Sequence, residues 1–136
     1  MNSEVKIEKL DPQKNDYSKE VFNLYLTEGW SQEGDNLSEI QQAILNSYTS
    51  YGAFCEGKMV GFFRAFSDGI SDAYLLDLIV EPSYRNRGIA SSLLKAILSE
   101  LKSKNLSWIT CISTPKAKSL YQKQGQSLKD FVAIRF

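Results

Sequence analysis

The chain has 136 residues, of which 43% are hydrophobic and 24% are charged, with 16 basic and 16 acidic side chains. This length predicts a single domain over residues 1–136, and the zero formal net charge gives no basis for a general attraction to nucleic acid or to an anionic membrane. Histidine is absent, so no histidine of this chain can act as a general base, a triad member or a metal ligand. We expect a cytoplasmic protein without a metal site, because the two cysteines lack metal-ligand spacing and no apolar segment is long enough to span a membrane.

The first third of the chain predicts one strand followed by two helices. A strand is expected over residues 6–10, and apolar residues at helical spacing predict a helix over residues 17–28 that ends at Gly29. Asn36 is suited to cap a second helix, and Glu39, three residues later, would complete a capping box. The apolar residues of this second helix recur at helical spacing: Leu37, Ile40, Ile44 and Tyr48.

Three strands joined by tight turns are predicted next. Residues 51–55 and 59–66 are rich in aromatic and other strand-favouring side chains, and residues 56–57 between them predict a hairpin turn. Residues 67–69 predict a second turn, and a dense apolar stretch over residues 74–80 predicts the third strand. The pattern therefore indicates an antiparallel meander.

The third strand leads into a basic turn and then into a long amphipathic helix. The turn contains Arg85, Arg87 and Gly88, and the apolar stripe of the helix runs from Ile89 to Leu101. Backbone N–H groups in the first turn of a helix lack partners, and the aligned peptide dipoles add partial positive charge there. Glycine lets the backbone approach a ligand closely, and the arginines add full charges. The sequence therefore predicts a phosphate or pyrophosphate site, the alternative being a solvated basic loop.

The last part of the chain predicts a strand, a short helix and a final strand. The strands are expected over residues 108–112 and 131–136. Thr114 can cap the helix between them, with Pro115 at its first position, and Gly125 is suited to end it. The whole order is strand, two helices, three strands, helix, strand, helix, strand, which predicts an α+β (mixed α/β) domain of three layers.

The basic turn and its surroundings resemble a known family. Arg85-x-x-Gly88-x-Ala90, after a strand that ends at Val80, is similar to the Arg/Gln-x-x-Gly-x-Gly/Ala signature of the GNAT superfamily, the acetyl-CoA-dependent N-acetyltransferases. The order of predicted elements is also the GNAT order. The resemblance implies a GNAT-like fold with a central, mostly antiparallel sheet flanked by helices, and acetyl-CoA as the acyl-donor cosubstrate. That fold usually closes with two strands after the last helix, whereas only eleven residues follow Gly125 here.

The resemblance also assigns residues to the cosubstrate. In the family, the strand before the turn binds the pantetheine arm through main-chain groups, and the turn binds the pyrophosphate. The residues implied in cofactor binding are Leu78, Ile79, Val80, Arg85, Asn86, Arg87, Gly88, Ile89, Ala90 and Ser91. The side chains of Leu78 and Val80 are expected to pack in the core, which is compatible with binding through the main chain.

Tyr121 is the first candidate for a catalytic residue. The segment around it, Leu120-Tyr121-x-x-x-Gly125, resembles the Leu-Tyr-x-x-x-Gly segment on the last GNAT helix, which implies that the tyrosine protonates the departing CoA thiolate. A phenol has a reference pKa of about 10, close to that of a leaving thiol, so it can give up this proton. The alternative is a tyrosine that only packs on an apolar helix face. The sequence departs from the family pattern at two positions: the family often has Asn where this chain has Thr114, and often has Phe where this chain has Gln126.

Asp77 is the second catalytic candidate, because an ammonium acceptor must lose a proton before it attacks and no histidine can take it. Asp77 interrupts an otherwise apolar strand, and burying an unpaired charge is costly. It is therefore either functional or part of a salt bridge, for example to Arg64 on the neighbouring strand. The acceptor pocket is expected between the early helices and the central strands, with Trp30 and Arg64 as substrate contacts.

The sequence thus predicts an acetyl-CoA-dependent N-acetyltransferase that acts on a primary amine of a small molecule by direct attack in a ternary complex. The alternative is a non-catalytic acyl-CoA-binding or partner-binding module on the same fold, since fold does not fix function. The unusual sheet end at residues 131–136 could pair with a second copy, which predicts a possible homodimer.

Overall fold

Residues 4–136, the part of the chain that the computed structural model describes, form a five-stranded sheet and four α-helices. In chain order the elements are β1 (Val5–Lys9), α1 (Ser18–Glu28), α2 (Leu37–Leu45), β2 (Thr49–Cys55), β3 (Lys58–Ser67), β4 (Asp72–Val80), α3 (Ile89–Ser103), β5 (Trp108–Cys111) and α4 (Lys118–Gln122). This architecture confirms the predicted α+β fold. No helix within these residues is both long and apolar enough to span a membrane.

The sheet keeps its strands in chain order, β1-β2-β3-β4-β5. The first four strands are antiparallel, and β5 lies parallel to β4 because α3 carries the chain back across the sheet. The pairing of β4 with β5 runs only from Asp72–Trp108 to Leu75–Cys111. Among the described residues, the second half of β4 therefore has a strand partner on its β3 side alone.

Helices cover both faces of the sheet and make three layers. Helices α1 and α2 pack on one face, where the buried residues include Val21, Leu24, Ile44, Phe62 and Ile79. Helix α3 packs on the other face, where the buried residues include Phe63, Leu75, Leu93, Ile97 and Leu101. Phe62 and Phe63 lie on opposite faces because side chains alternate along a strand.

One irregularity interrupts the pairing of β3 with β4. Phe62 pairs with Ile79 and Arg64 pairs with Leu76, so β4 carries one residue more than β3 over this stretch. This extra residue is a β-bulge, and Asp77 within it has a left-handed backbone, with φ of 62°. Aspartate is among the few non-glycine residues that adopt this conformation readily.

The predicted final strand is wrong. Residues 131–136 form neither helix nor strand, and their side chains are exposed, including Val132 at 83%. β5, with only four residues, is a short edge, and the ring of Phe131 contacts Trp108 with centroids 6.0 Å apart. The alternation in this segment finds no face on which to be buried, and burial is what stabilises an added strand.

Two predicted helices are shorter than their sequence pattern. α2 ends at Leu45, and the N–H of Tyr48 donates to the carbonyl of Ala65 on β3 at 2.9 Å, so Tyr48 leads into β2 instead of continuing the helix. The last helix begins as a 3₁₀ turn at Pro115–Ala117, where the Thr114 side chain caps as predicted, and its α-helical part ends at Gln122. The apolar spacing therefore predicted which helices exist more accurately than where they end.

Candidate functional site

The turn between β4 and α3 presents free backbone amides. Gly88 caps α3 with φ of 78°, and no side chain bonds the first turn of the helix. Asn86 is also left-handed, with φ of 63°. A side-chain carbon added at Gly88 would meet no atom within 4 Å, so the backbone here is open to a ligand. Left-handed residues beside an uncapped helix start direct several N–H groups at one anion.

The two arginines of the turn make different contacts. The Nη2 of Arg85 donates to the Glu28 carboxylate of α1 at 2.9 Å, and its Nε donates to the carbonyl of Val80 at 3.3 Å. Arg87 lies over the ring of Tyr84, 5.0 Å from its centroid, and donates weakly to the carbonyl of Ser83 at 3.4 Å. Arg85 therefore fastens the turn to α1 and β4, while Arg87 adds exposed positive charge.

Within residues 4–136, the second half of β4 has a main-chain edge without a strand partner on the β5 side. Leu78 and Val80 contribute their side chains to the core beneath α3, and Ile79 is buried in the core beneath α1 and α2. Since the side chains are engaged in the core, only backbone groups are available on this edge. An extended ligand can pair with such an edge as an added strand would.

A cavity of about 460 Å³ lies between the first two helices and the central strands. Its lining includes Tyr25, Trp30, Asp35, Glu39, Arg64 and Asp77. The rings of Tyr25 and Trp30 are tilted against each other with centroids 5.7 Å apart, and Trp30 remains 52% exposed. The structure thus brings together in one cavity three of the residues singled out from the sequence: Trp30, Arg64 and Asp77.

Asp77 is the centre of a hydrogen-bonded network in this cavity. Its Oδ2 accepts from Arg64 Nε at 2.7 Å and from the Tyr25 hydroxyl at 2.7 Å. Arg64 also donates through Nη1 to Ser47 Oγ at 3.3 Å. The Oδ1 of Asp77 has no hydrogen-bond partner among residues 4–136. Burial and the negative charge of Asp77 raise the pKa of Tyr25 well above its ordinary value, so Tyr25 stays a donor.

The salt bridge that the sequence offered as one explanation of Asp77 is therefore present. It does not use the whole carboxylate, and the side chain of Asp77 is still 21% exposed.

Tyr121 lies near the point where β4 and β5 part. It packs against the apolar cluster beneath α3, to which Leu78 and Cys111 also belong. Burial raises the pKa of Tyr121 to about 12, and the nearby Cys111 and Tyr74 add to the increase. Cys111 is also the last β5 residue paired with β4.

Several site residues were not found by sequence reasoning. Glu28 pairs with Arg85 across 57 positions of the chain, and Asp35 and Glu39 line the cavity. Glu39 does not complete the predicted capping box, because Asn36 alone caps α2 by accepting from the Ser38 N–H at 3.0 Å. Residues 36, 39, 40 and 43 recur at helical spacing and line the cavity together, so this spacing was the pattern in the sequence that could have indicated which face of α2 borders the cavity.

Comparison with known proteins identifies one family. A model of the acetyltransferase (GNAT) family matches residues 15–126. An uncharacterized N-acetyltransferase ycf52-like protein of Prochlorococcus marinus is 26% identical over 114 residues, covering 81% of this chain and 62% of that protein. Serotonin N-acetyltransferase 2 of Oryza sativa subsp. japonica is 32% identical over 79 residues, covering 58% of this chain and 39% of that protein. This chain thus spans less than two thirds of the length of either relative.

Solved structures share the whole fold. The GNAT family acetyltransferase SP0256 of Streptococcus pneumoniae TIGR4 is 28% identical with a TM-score of 0.78, covering 98% of this chain and 97% of that one. A predicted acetyltransferase of Clostridium acetobutylicum, solved with acetyl-CoA, has a TM-score of 0.75 at 16% identity, covering 97% of this chain and 96% of that one, and shows likeness of fold alone. With most of its length matched by the family model, the chain belongs to the GNAT acetyltransferase family.

Proposed function

We propose that this chain is an acetyl-CoA-dependent N-acetyltransferase that transfers an acetyl group to a primary amine of a small molecule. One observation carries the proposal: a single strand, β4, has Asp77 in the cavity and, just after it, a free edge that leads into the basic turn. Such an arrangement suits two ligands that meet at the bulge. Direct attack in a ternary complex is the simplest chemistry for this geometry, because it needs no covalent enzyme intermediate.

The residues present fit acetyl-CoA, which supplies the acyl group as a thioester. The main chain at Leu78, Ile79 and Val80 would hold the pantetheine arm through strand-like hydrogen bonds. The backbone amides of the turn would hold the pyrophosphate, and they belong to Asn86, Arg87, Gly88, Ile89, Ala90 and Ser91. The open space at Gly88 and the absence of a side-chain cap on α3 support this role. Arg85 would act indirectly, by fixing the turn against α1 and β4.

The acceptor amine would bind in the cavity. The free Oδ1 of Asp77 would accept a hydrogen bond from the amine, while Arg64 and Tyr25 hold Oδ2 in place. Asp77, or water ordered by it, would accept the proton that the amine must lose. Backbone N–H groups of the Val80 end of β4 would stabilise the negative charge that develops on the carbonyl oxygen.

Tyr121 would protonate the departing thiolate. A phenol is protonated throughout the neutral range, as a proton donor requires, but the pKa of about 12 that burial gives Tyr121 makes it a weaker acid than the free phenol, so its position on α4 supports the role and its pKa does not. The rice relative is named for serotonin, a primary amine with an apolar body, which supports an acceptor of this class. Trp30 would contact the apolar part of such an acceptor and Arg64 would border it.

Two measurements test the proposal. Thermal unfolding should show stabilisation by acetyl-CoA and not by AMP, with a gain of about 2.7 kcal/mol at 100 times the dissociation constant. Thiol release should then be followed with a panel of primary amines. Stabilisation without thiol release from any amine would favour the non-catalytic acyl-CoA-binding module. Absence of stabilisation at millimolar acetyl-CoA would contradict both. The single domain, the cytoplasmic location and the homodimer stay predictions.

A further inference from the structure

Residues 131–136 and the neighbouring strand β5 expose a large apolar surface. Phe131 and Ile134 are 62% and 67% exposed, and the ring of Phe131 lies against Trp108 of β5. Of the eleven large hydrophobic side chains that are exposed within residues 4–136, seven lie between Trp108 and Phe136. Isolated exposed apolar residues are ordinary, whereas a patch of them marks an interaction surface.

The main chain of the same segment is also unpaired. Residues 132–136 make no backbone hydrogen bond to any other residue of the described chain. Their composition nevertheless favours a strand, because Val, Ile and Phe side chains fit a pleated surface. The contact between Phe131 and Trp108 places the segment beside β5, the outermost strand on this side of the sheet. The segment therefore has the free N–H and C=O groups of an edge strand and lacks a second strand to pair with.

The sequence of the segment is complementary to a second copy of itself. Hydrogen-bonded and non-hydrogen-bonded pairs alternate along an antiparallel ladder, so a two-fold axis between identical strands passes through a residue that faces its own copy. With the axis at Ala133, Val132 lies opposite the partner's Ile134, and two β-branched side chains meet. Phe131 then lies opposite the partner's Arg135, which sets a guanidinium group against a ring. Arg135 is available for this contact, since it forms no ion pair with another described residue.

Moving the axis by one residue removes this complementarity. An axis at Val132 places Lys129 opposite the partner's Arg135, and like charges directly opposite each other destabilise a sheet. An axis at Ile134 places Arg135 opposite the partner's Ala133, which has neither a ring nor a charge. The register with Ala133 at the axis is therefore the favoured one.

We infer that residues 131–136 form a homodimer interface, in which this segment pairs antiparallel with the same segment of a second copy about a two-fold axis at Ala133. The exposed rings of Phe131 and Phe136 alone offer about 300 Å² per copy. With the aliphatic side chains of both copies, the pairing buries on the order of 1,000 Å², which is enough for a reversible dimer. The inference is independent of the proposed function, because no residue of the segment lines the cavity.

Disulfide trapping tests the register. Under oxidation, Ala133→Cys should form a covalent dimer, because the two Cα atoms at the axis lie about 4.5–5.5 Å apart, within disulfide range. Val132→Cys and Ile134→Cys should each crosslink at least about fivefold less when alone, since each is offset from its own copy. The two should form a mixed dimer when they are combined, because they face each other across the axis.

The trapping is done in a Cys111→Ser background, and Cys55 is left in place because it is buried. Ile70→Cys is the matched control, since Ile70 is 79% exposed between β3 and β4 and lies outside the segment. Equal crosslinking at all positions would overturn the inference by showing unspecific contact. Strongest crosslinking of Val132→Cys with itself would overturn the register.

Sedimentation across the micromolar range tests the association itself. The parent protein should form a reversible dimer, and Arg135→Glu should weaken it at least about tenfold, whereas Arg135→Lys keeps the cation and should retain most of it. Lys129→Glu is the control, because it makes the same change of charge just outside the paired residues. A parent protein that stays monomeric, as it would if the segment paired with β5 of its own chain, would overturn the inference. An equal effect of Arg135→Glu and Lys129→Glu would overturn it as well.

Discussion

Removing the charge of Asp77 separates its structural role from its chemical one. In Asp77→Asn the side chain keeps its shape and can still accept a hydrogen bond, but Arg64 loses its counter-charge while its side chain remains only 13% exposed. Breaking one partner of a fully buried pair costs about 3–5 kcal/mol, and the partial exposure of this pair lowers the expected loss to about 2 kcal/mol. For a chain of this size that corresponds to a fall of about 6 °C in Tm.

The companion variant is Arg64→Met, which removes the cation and keeps much of the aliphatic stem. Each single variant leaves one charge unpaired, whereas the double variant leaves none. The double variant should therefore regain about 1–2 kcal/mol relative to the sum of the two single losses. Stability is measured by thermal or urea unfolding. Tyr25→Phe is measured alongside, because it gives the free energy lost when only the hydrogen bond from Tyr25 to Asp77 is removed.

Turnover should not recover with stability. If Asp77 binds the amine and takes its proton, Asp77→Asn should lower kcat/KM by about 100-fold in thiol release, and the double variant should stay at that level. A double variant that regains both stability and turnover would refute the chemical role. Asp77 would then be a structural partner of Arg64, which was the other explanation that the sequence allowed.

Three further changes test other parts of the site. Gly88→Ala and Gly57→Ala both introduce a methyl group at φ of 78° where no atom lies within 4 Å. Each should cost about 1 kcal/mol of stability, and Gly88→Ala alone should weaken acetyl-CoA binding, by about tenfold in calorimetry. Tyr121→Phe should lower kcat by at least about tenfold with little change in Tm. Tyr17→Phe is its control: Tyr17 directly precedes α1 and does not line the cavity, so kcat should stay unchanged. Glu100→Gln should lose about 2 kcal/mol in urea unfolding at pH 7. Burial opposes ionisation of Glu100, but hydrogen bonds from Thr49, Tyr51 and Lys9 outweigh it and lower its pKa. This contribution should be present above the ordinary glutamate pKa and vanish as the pH falls through the lowered one; a difference between parent and variant that persists at pH 2 would contradict it.

The parts of the fold that depend on neighbouring residues could be predicted from the sequence. The strand, turn and helix from residue 74 to residue 103 follow one another directly, and their apolar spacing, glycine and arginines specify them locally. The same holds for the Thr114 cap, whose side chain accepts from the Ala117 N–H only three residues on. Local hydrogen bonds and periodicity leave a sequence signal because both partners lie within one window.

The contacts that complete the site span the chain and leave no such signal. Arg85 could be recognised as basic, but its pairing with Glu28 depends on how α1 crosses the sheet. The unpaired edge of β4 depends on β5 ending at Cys111, which is a matter of strand length and register rather than of composition. The failed strand at residues 131–136 shows the reverse case, since its alternation was clear and the partner surface was absent.

The bulge in β4 explains why Asp77 belongs to the site at all. Side chains alternate along a regular strand, so Asp77 would share the face of Leu75, which is buried beneath α3. One extra residue reverses the alternation, and Leu78 rather than Asp77 shares that face with Leu75. Asp77 then lies on the side of α1 and α2, with its carboxylate bonded to Tyr25 and Arg64. Because the residues around Asp77 are apolar on both faces, the sequence contains no break in period that would reveal the bulge. The same irregularity therefore keeps a charge out of the α3 core and places it in the cavity between the first two helices and the central strands.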